Sequence, residues 1–86
     1  MALKQLVKSF GATVRQHREG KGWSQELLAE HADLNRSYVG EIERGEVIAS
    51  LVTVHKLALA LGVSSADLLR STAKPNAGEL LHLNAG

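Results

Sequence analysis

Cysteine is absent from the 86 residues, so disulfide frameworks, zinc fingers and thiol chemistry are excluded at the outset. Aromatic residues are scarce as well: one Phe, one Trp and one Tyr amount to 3% of the chain. β-Sandwiches and barrels draw on aromatic strands, and this composition disfavours both. No uncharged stretch approaches the roughly 20 apolar residues needed to span a bilayer, so no membrane partner is expected. The start, Met1-Ala2-Leu3-Lys4, shows no apolar run before a small-residue cleavage site. No secretory leader is expected from it, and the chain reads as cytoplasmic. Charge of one sign is lacking too, since ten Lys and Arg oppose nine Asp and Glu for a net +1. No global basic field points to nucleic acid, so such a reading must rest on where particular residues fall.

What is present is an ordinary globular balance, 44% hydrophobic and 22% charged. A chain this short buries only about 60–65% of its unfolded surface, which allows one domain with a small core. The remaining fold class is all-α.

Apolar stripes at helical spacing divide the chain into five short helices. Leu3, Leu6, Val7, Phe10 and Val14 predict a first helix over residues 3–19, ended by Gly20-Lys21-Gly22. Ser24 is a good N-cap for a second over 25–32, which buries Leu28, Ala29 and Ala32. Asp33-Leu34-Asn35 makes a brief turn, and Asn35 can cap a third helix over 36–44 with Val39 and Ile42 inward. Gly45 stops it. Ser50 caps a fourth, with Leu51, Val54, Leu57, Ala58 and Leu61 as one continuous stripe before Gly62. Ser64 with Asp67 resembles a capping box for a fifth helix through Leu69. This organisation gives one domain over residues 1–71. The pattern dissolves around Lys74-Pro75-Asn76-Ala77-Gly78, leaving a tail over 72–86 that carries Leu80, Leu81 and Leu83.

Two helices of about eight residues joined by a turn of about three match the helix-turn-helix unit. In such a unit the second helix enters the major groove, about 12 Å wide, and must be polar on its outer face. Once Val39 and Ile42 point inward, Arg36, Ser37, Gly40, Glu41 and Arg44 form that face.

Two linked signatures then carry a family resemblance. Ser24-Gln25-Glu26-Leu27-Leu28-Ala29 is followed by Leu34 and by Tyr38-Val39-Gly40-Glu41-Ile42-Glu43-Arg44-Gly45. Together they resemble the phage-repressor (Cro/C1, XRE) type of helix-turn-helix protein. Phe10-Gly11, Arg15 and Arg18 fit its first helix, and the similarity covers roughly residues 8–70. The standalone length is similar to small restriction-modification controller proteins and other free-standing repressors. The resemblance implies a five-helix, lambda-repressor-like DNA-binding domain with the helix-turn-helix in helices 2 and 3. It implies DNA contacts from Ser24, Gln25, Asn35, Arg36, Ser37, Tyr38, Glu41 and Arg44. Arg36 can offer its planar fork to guanine and Glu41 can accept from cytosine N4, each for about 1–3 kcal/mol of discrimination. Ser37 and Tyr38 suit phosphates, which fix register without carrying sequence. Arg18 and Glu43 match a pair the family places together as an internal salt bridge, the alternative being two solvated charges.

Several positions keep a second reading. Glu41 facing DNA repels phosphate unless it meets a base donor; otherwise it is a solvated carboxylate. Gly40 permits a close approach to the duplex or another helix, or is simply tolerated. Trp23 beside the Ser24 cap packs over the loop, with a phosphate contact as the minor option. His17, His31, His55 and His82 have no close partner at i, i+3 or i, i+4, so metal binding is not expected. No serine with these histidines forms a nucleophile motif, and no cofactor or enzyme chemistry is expected. The loop Gly45-Glu46-Val47-Ile48-Ala49-Ser50 lacks the basic residue and proline of many relatives, so phosphate anchoring there is expected either to be weaker or to be supplied by Arg44 and Lys56.

These expectations converge on a sequence-specific transcriptional regulator bound as a homodimer to a palindromic operator. The dimer surface is expected on helices 4 and 5, with Val52, Leu59, Leu68 or Leu69 exposed. The rival is an antitoxin-like module that neutralises a partner protein through the leucine tail and Val47-Ile48.

Overall fold

A computed structural model describes residues 2–72, with side chains through residue 70. The tail leucines Leu80, Leu81 and Leu83, the break at 74–78, His82 and the protein-partner reading built on the tail lie outside the described residues. Five α-helices and no strand are found among the described residues: α1 (Leu3–Gly20), α2 (Gln25–Ala32), α3 (Arg36–Glu43), α4 (Leu51–Leu61) and α5 (Ser65–Thr72). α1 lies against α3 and α5, α2 packs on α3 and α4, and α4 meets α5. Their shared interior holds Leu28, Ile42, Leu57, Leu68, Val14 and Val39, all fully buried. No helix among those described is long and apolar enough to cross a membrane.

The ends of these helices are set locally. Ser24 Oγ accepts from the Leu27 amide at 3.0 Å, Asn35 Oδ1 from Ser37 at 2.8 Å, and Ser50 Oγ from Thr53 at 3.1 Å. Each satisfies an amide that the helix itself leaves unpaired. At α5 the capping box is reciprocal: the Asp67 amide donates to Ser64 Oγ at 2.9 Å, and the Ser64 amide to Asp67 Oδ2 at 3.3 Å. At the end of α3, Gly45 turns left-handed with φ 72°, and the Glu46 amide reaches back to the Glu41 carbonyl at 2.9 Å. The Gly45 amide reaches the Ile42 carbonyl at 3.0 Å, which completes a Schellman motif. α2 ends with the same pattern, but Asp33 takes the left-handed position with φ 55°. Lys56 Nζ supports that turn, 3.4 Å from the Asp33 carbonyl oxygen and 3.8 Å from its carboxylate.

Four apolar placements differ from the sequence expectation. Leu3 and Leu6 are 63% and 37% exposed along an apolar groove shared with Val47, Ile48 and Leu69; only Phe10 and Val14 of the α1 stripe are buried. Leu51 is 85% exposed rather than part of the α4 stripe: as the first helical residue it falls outside the interior, whereas Val54, Leu57, Ala58 and Leu61 are buried. Leu68, expected to be free for a partner, is fully buried where α5 closes on α1 and α4, while Val52, Leu59 and Leu69 are exposed. The helix boundaries shift slightly: α1 includes Gly20, α3 stops at Glu43 with Arg44 as its C-cap, and α5 runs on to Thr72.

Candidate nucleic-acid interface

α3 is split lengthwise by its sequence. Val39 and Ile42 are fully buried, and they anchor one side of the helix in the core. On the other side, Arg36, Ser37, Gly40 and Glu41 join Gln25 from α2 and Arg44 from the C-cap around one polar concavity. The α2–α3 geometry thus gathers five of the eight residues expected to touch DNA (Gln25, Arg36, Ser37, Glu41 and Arg44) on one surface. The hydroxyl oxygen of Ser24 and the side-chain oxygen of Asn35 cap α2 and α3. Asn35 then has its Nδ2 protons for any further partner. Tyr38 does not line the concavity: its ring packs against the core, and its hydroxyl lies 3.3 Å from Thr53 Oγ1.

Both arginines of this surface are paired. Arg36 Nη1 lies 3.9 Å from Glu26 Oε2, a loose contact between two well-exposed side chains. Arg44 makes a tighter, two-pronged pair with Glu46, Nε to Oε2 at 3.0 Å and Nη2 to Oε1 at 3.2 Å. The guanidinium hydrogen bond holds the Glu46 carboxyl below the usual carboxylate range, and Glu46 in turn raises Arg44. Gly40 lies beneath this pair: a methyl group on it would come within 2.9 Å of Arg44 Nη1 and 3.5 Å of Gln25 Oε1. The close approach made possible at Gly40 is therefore to the side chains of Arg44 and Gln25.

Behind the surface is a rigid mount. Arg18 of α1 donates to Glu43 of α3 twice, Nε to Oε2 at 2.7 Å and Nη2 to Oε1 at 3.0 Å. Its Nη1 donates to the Trp23 carbonyl at 2.7 Å. Gln25 Nε2 adds a third bond to Glu43 Oε1 at 3.1 Å, which turns the Gln25 oxygen towards the concavity. The Glu43 side chain is only 2% exposed, and its hydrogen bond is the main reason the Arg18 pKa is raised. Three helices thus converge on one carboxylate.

The α1–α3 contact depends on Gly11. A methyl group there would overlap the Ile42 carbonyl oxygen and come within 2.8 Å of the Glu43 carbonyl oxygen. Sequence reasoning placed Gly11 in the first helix without this role. The available signal was a glycine in mid-helix, which costs about 0.5–1 kcal/mol against alanine unless something requires it. The Gln25–Glu43 bond and the Glu46 fork were also missed, since both depend on where a turn carries a side chain. Trp23 stacks on His31, with ring centroids 4.4 Å apart and 6° between planes, and Lys21 Nζ is 5.1 Å from its ring centroid. No metal-holding group of His, Asp and Glu is found among the described residues.

Comparison with known proteins places this geometry. A helix-turn-helix family profile matches residues 14–68. Control protein C.BamHI of Bacillus amyloliquefaciens is 48% identical over 64 residues, covering 73% of this chain and 79% of its own. Control protein C.SmaI of Serratia marcescens is 45% identical over 69 residues, covering 80% and 79%. Among solved structures, the restriction-modification controller protein C.AhdI of Aeromonas hydrophila is 49% identical with a TM-score of 0.70. That match covers 73% of this chain and 94% of C.AhdI.

Proposed function

The chain belongs to the helix-turn-helix family of the phage-repressor (XRE) type, DNA-binding transcriptional regulators, and from that premise we propose that it recognises one operator sequence in the manner of a controller protein. It acts in the cytoplasm as a homodimer on a palindromic site, with α3 in the major groove. The observation that carries this reading is the split character of α3, buried through Val39 and Ile42 and polar through Arg36, Ser37 and Glu41. Arg36, at the first position of α3, presents its fork to guanine O6 and N7. Glu41, further along the helix, accepts from a cytosine amino group, which gives an acid on this surface a partner other than phosphate. Gln25, held by Glu43, contacts the first base or a phosphate through its free oxygen or remaining proton.

Two copies are invoked on energetic grounds. A single module reads few base pairs, whereas specific regulators bind at about 10⁻⁸–10⁻¹¹ M. Recognition helices about 34 Å apart meet successive major grooves and double the contacts. Val52 and Leu59, seven residues apart on α4 and 64% and 69% exposed, supply the apolar centre of the dimer, with Leu69 of α5 alongside.

Selection of bound duplexes from a random pool tests the reading. A palindromic consensus is expected, and Arg36→Ala relaxes it at one or two positions at about 1–3 kcal/mol each. Equal affinity for selected and random duplexes defeats the assignment, and a uniform loss in Arg36→Ala removes Arg36 from base readout.

A further inference from the structure

Arg44 is the one cation of the reading surface held by a two-pronged contact, and its partner is a residue that the fold places there deliberately. The Schellman turn fixes the backbone of Glu46 against α3 through its bond to the Glu41 carbonyl at 2.9 Å. Arg44 is the C-cap of the same helix, so only the two side chains need to order for the fork to close. Glu46 meets the Nε and Nη2 donors, the edge an arginine offers to a phosphate in bidentate recognition. Both groups are well exposed, with side chains 57% and 53% accessible, so the pair has no role in the core. With Glu26 and Glu41 nearby, three carboxylates accompany the two arginines of this surface.

We propose that Glu46 is a built-in counter-ion that occupies Arg44 in place of a DNA phosphate and so sets the affinity for duplex DNA and its dependence on salt. The inference rests on the regulator reading above and deepens it. In the free protein the Arg44 fork is closed on Glu46. On DNA the same fork turns to a backbone phosphate and leaves Glu46 to solvent and its counter-ions. Because phosphates carry no sequence, the restraint acts equally on every duplex. It lowers all affinities together and leaves discrimination to Arg36 and Glu41.

The test compares the full chain with Glu46→Gln, Arg44→Ala and the double variant on a selected operator duplex and a random duplex of equal length, across a salt series. Thermal melts confirm that each variant is folded. Glu46→Gln is expected to bind both duplexes about two- to five-fold more tightly at low salt, the range that breaking an exposed ion pair allows. Its plot of log affinity against log salt should steepen by up to about 0.9, one phosphate's worth of released counter-ion. In the Arg44→Ala background the same substitution should have little effect. Unchanged affinity in Glu46→Gln overturns the proposal, as does an equal gain without Arg44, which would make Glu46 a bulk repulsive charge. If the unaltered protein discriminates its operator and Glu46→Gln changes nothing, only this inference falls; if it binds neither duplex, the regulator reading falls and takes this one with it.

Discussion

Glu43 shows how one side chain binds the domain together. It is a carboxylate almost wholly withdrawn from water, and it is tolerated there because Arg18 and Gln25 supply three donors to its two oxygens. The intact network need not stabilise the fold much, since desolvation offsets most of the attraction. Removal of one partner is another matter. Arg18→Ala or Glu43→Ala is expected to lower stability by about 3–5 kcal/mol in urea denaturation, because the remaining charge is left buried and uncompensated. A loss below about 1 kcal/mol would mean that water reaches the site. The pair was legible in the sequence through its family resemblance; its donors from Gln25 and its reach to the Trp23 carbonyl were not, because no spacing rule links residues 18, 23, 25 and 43.

The helices were legible where their signals are local. Ser24, Asn35, Ser50 and Ser64 each cap as their position before an apolar stripe predicts, because a cap needs only its own first turn. Leu3, Leu6, Leu51 and Leu68 were misplaced because burial depends on which helix lies opposite, and periodicity carries no information about that. α5 offers a measurable consequence of its cap. The Ser64 side chain, then the Ser64 backbone amide and then Arg70 hold the Asp67 carboxyl below its usual value. A carboxyl with a depressed folded-state pKa stabilises the fold above its unfolded pKa of about 3.9, and that stability is lost as pH falls through the folded value. Asp67→Asn should therefore lower stability at pH 7 and flatten the acid limb of the stability–pH curve below about pH 4. Parallel curves for the two proteins would show that the box adds nothing dependent on charge.

For the molecule as a whole, the reading surface and the proposed dimer surface draw on different helices, so each can be tested without the other. Leu59→Glu introduces a charge where α4 is expected to meet its copy. Loss of a buried leucine is worth about 1.5–3 kcal/mol, so dimer dissociation by sedimentation should shift ten-fold or more. The exposure of Leu59, 69% in the single chain, means that the protomer's own packing is untouched, so melts at concentrations too low for dimerisation should be unchanged. Operator affinity should fall with dimerisation, while the bases preferred in each half-site stay the same. An unaltered dimer would move the interface elsewhere, Leu51 and Ile48 being the next exposed apolar residues, at 85% and 67%.

Where α1 sits flush on the carbonyls of Ile42 and Glu43, with no side chain at position 11 to act as a cushion, the reading head has a fixed seat. Arg36 and Ser37 point away from that seat and bear none of the weight of the fold. On the proposed reading, a descendant of this chain would therefore be free to exchange Arg36, acquire a different address on the genome, and keep its architecture unchanged.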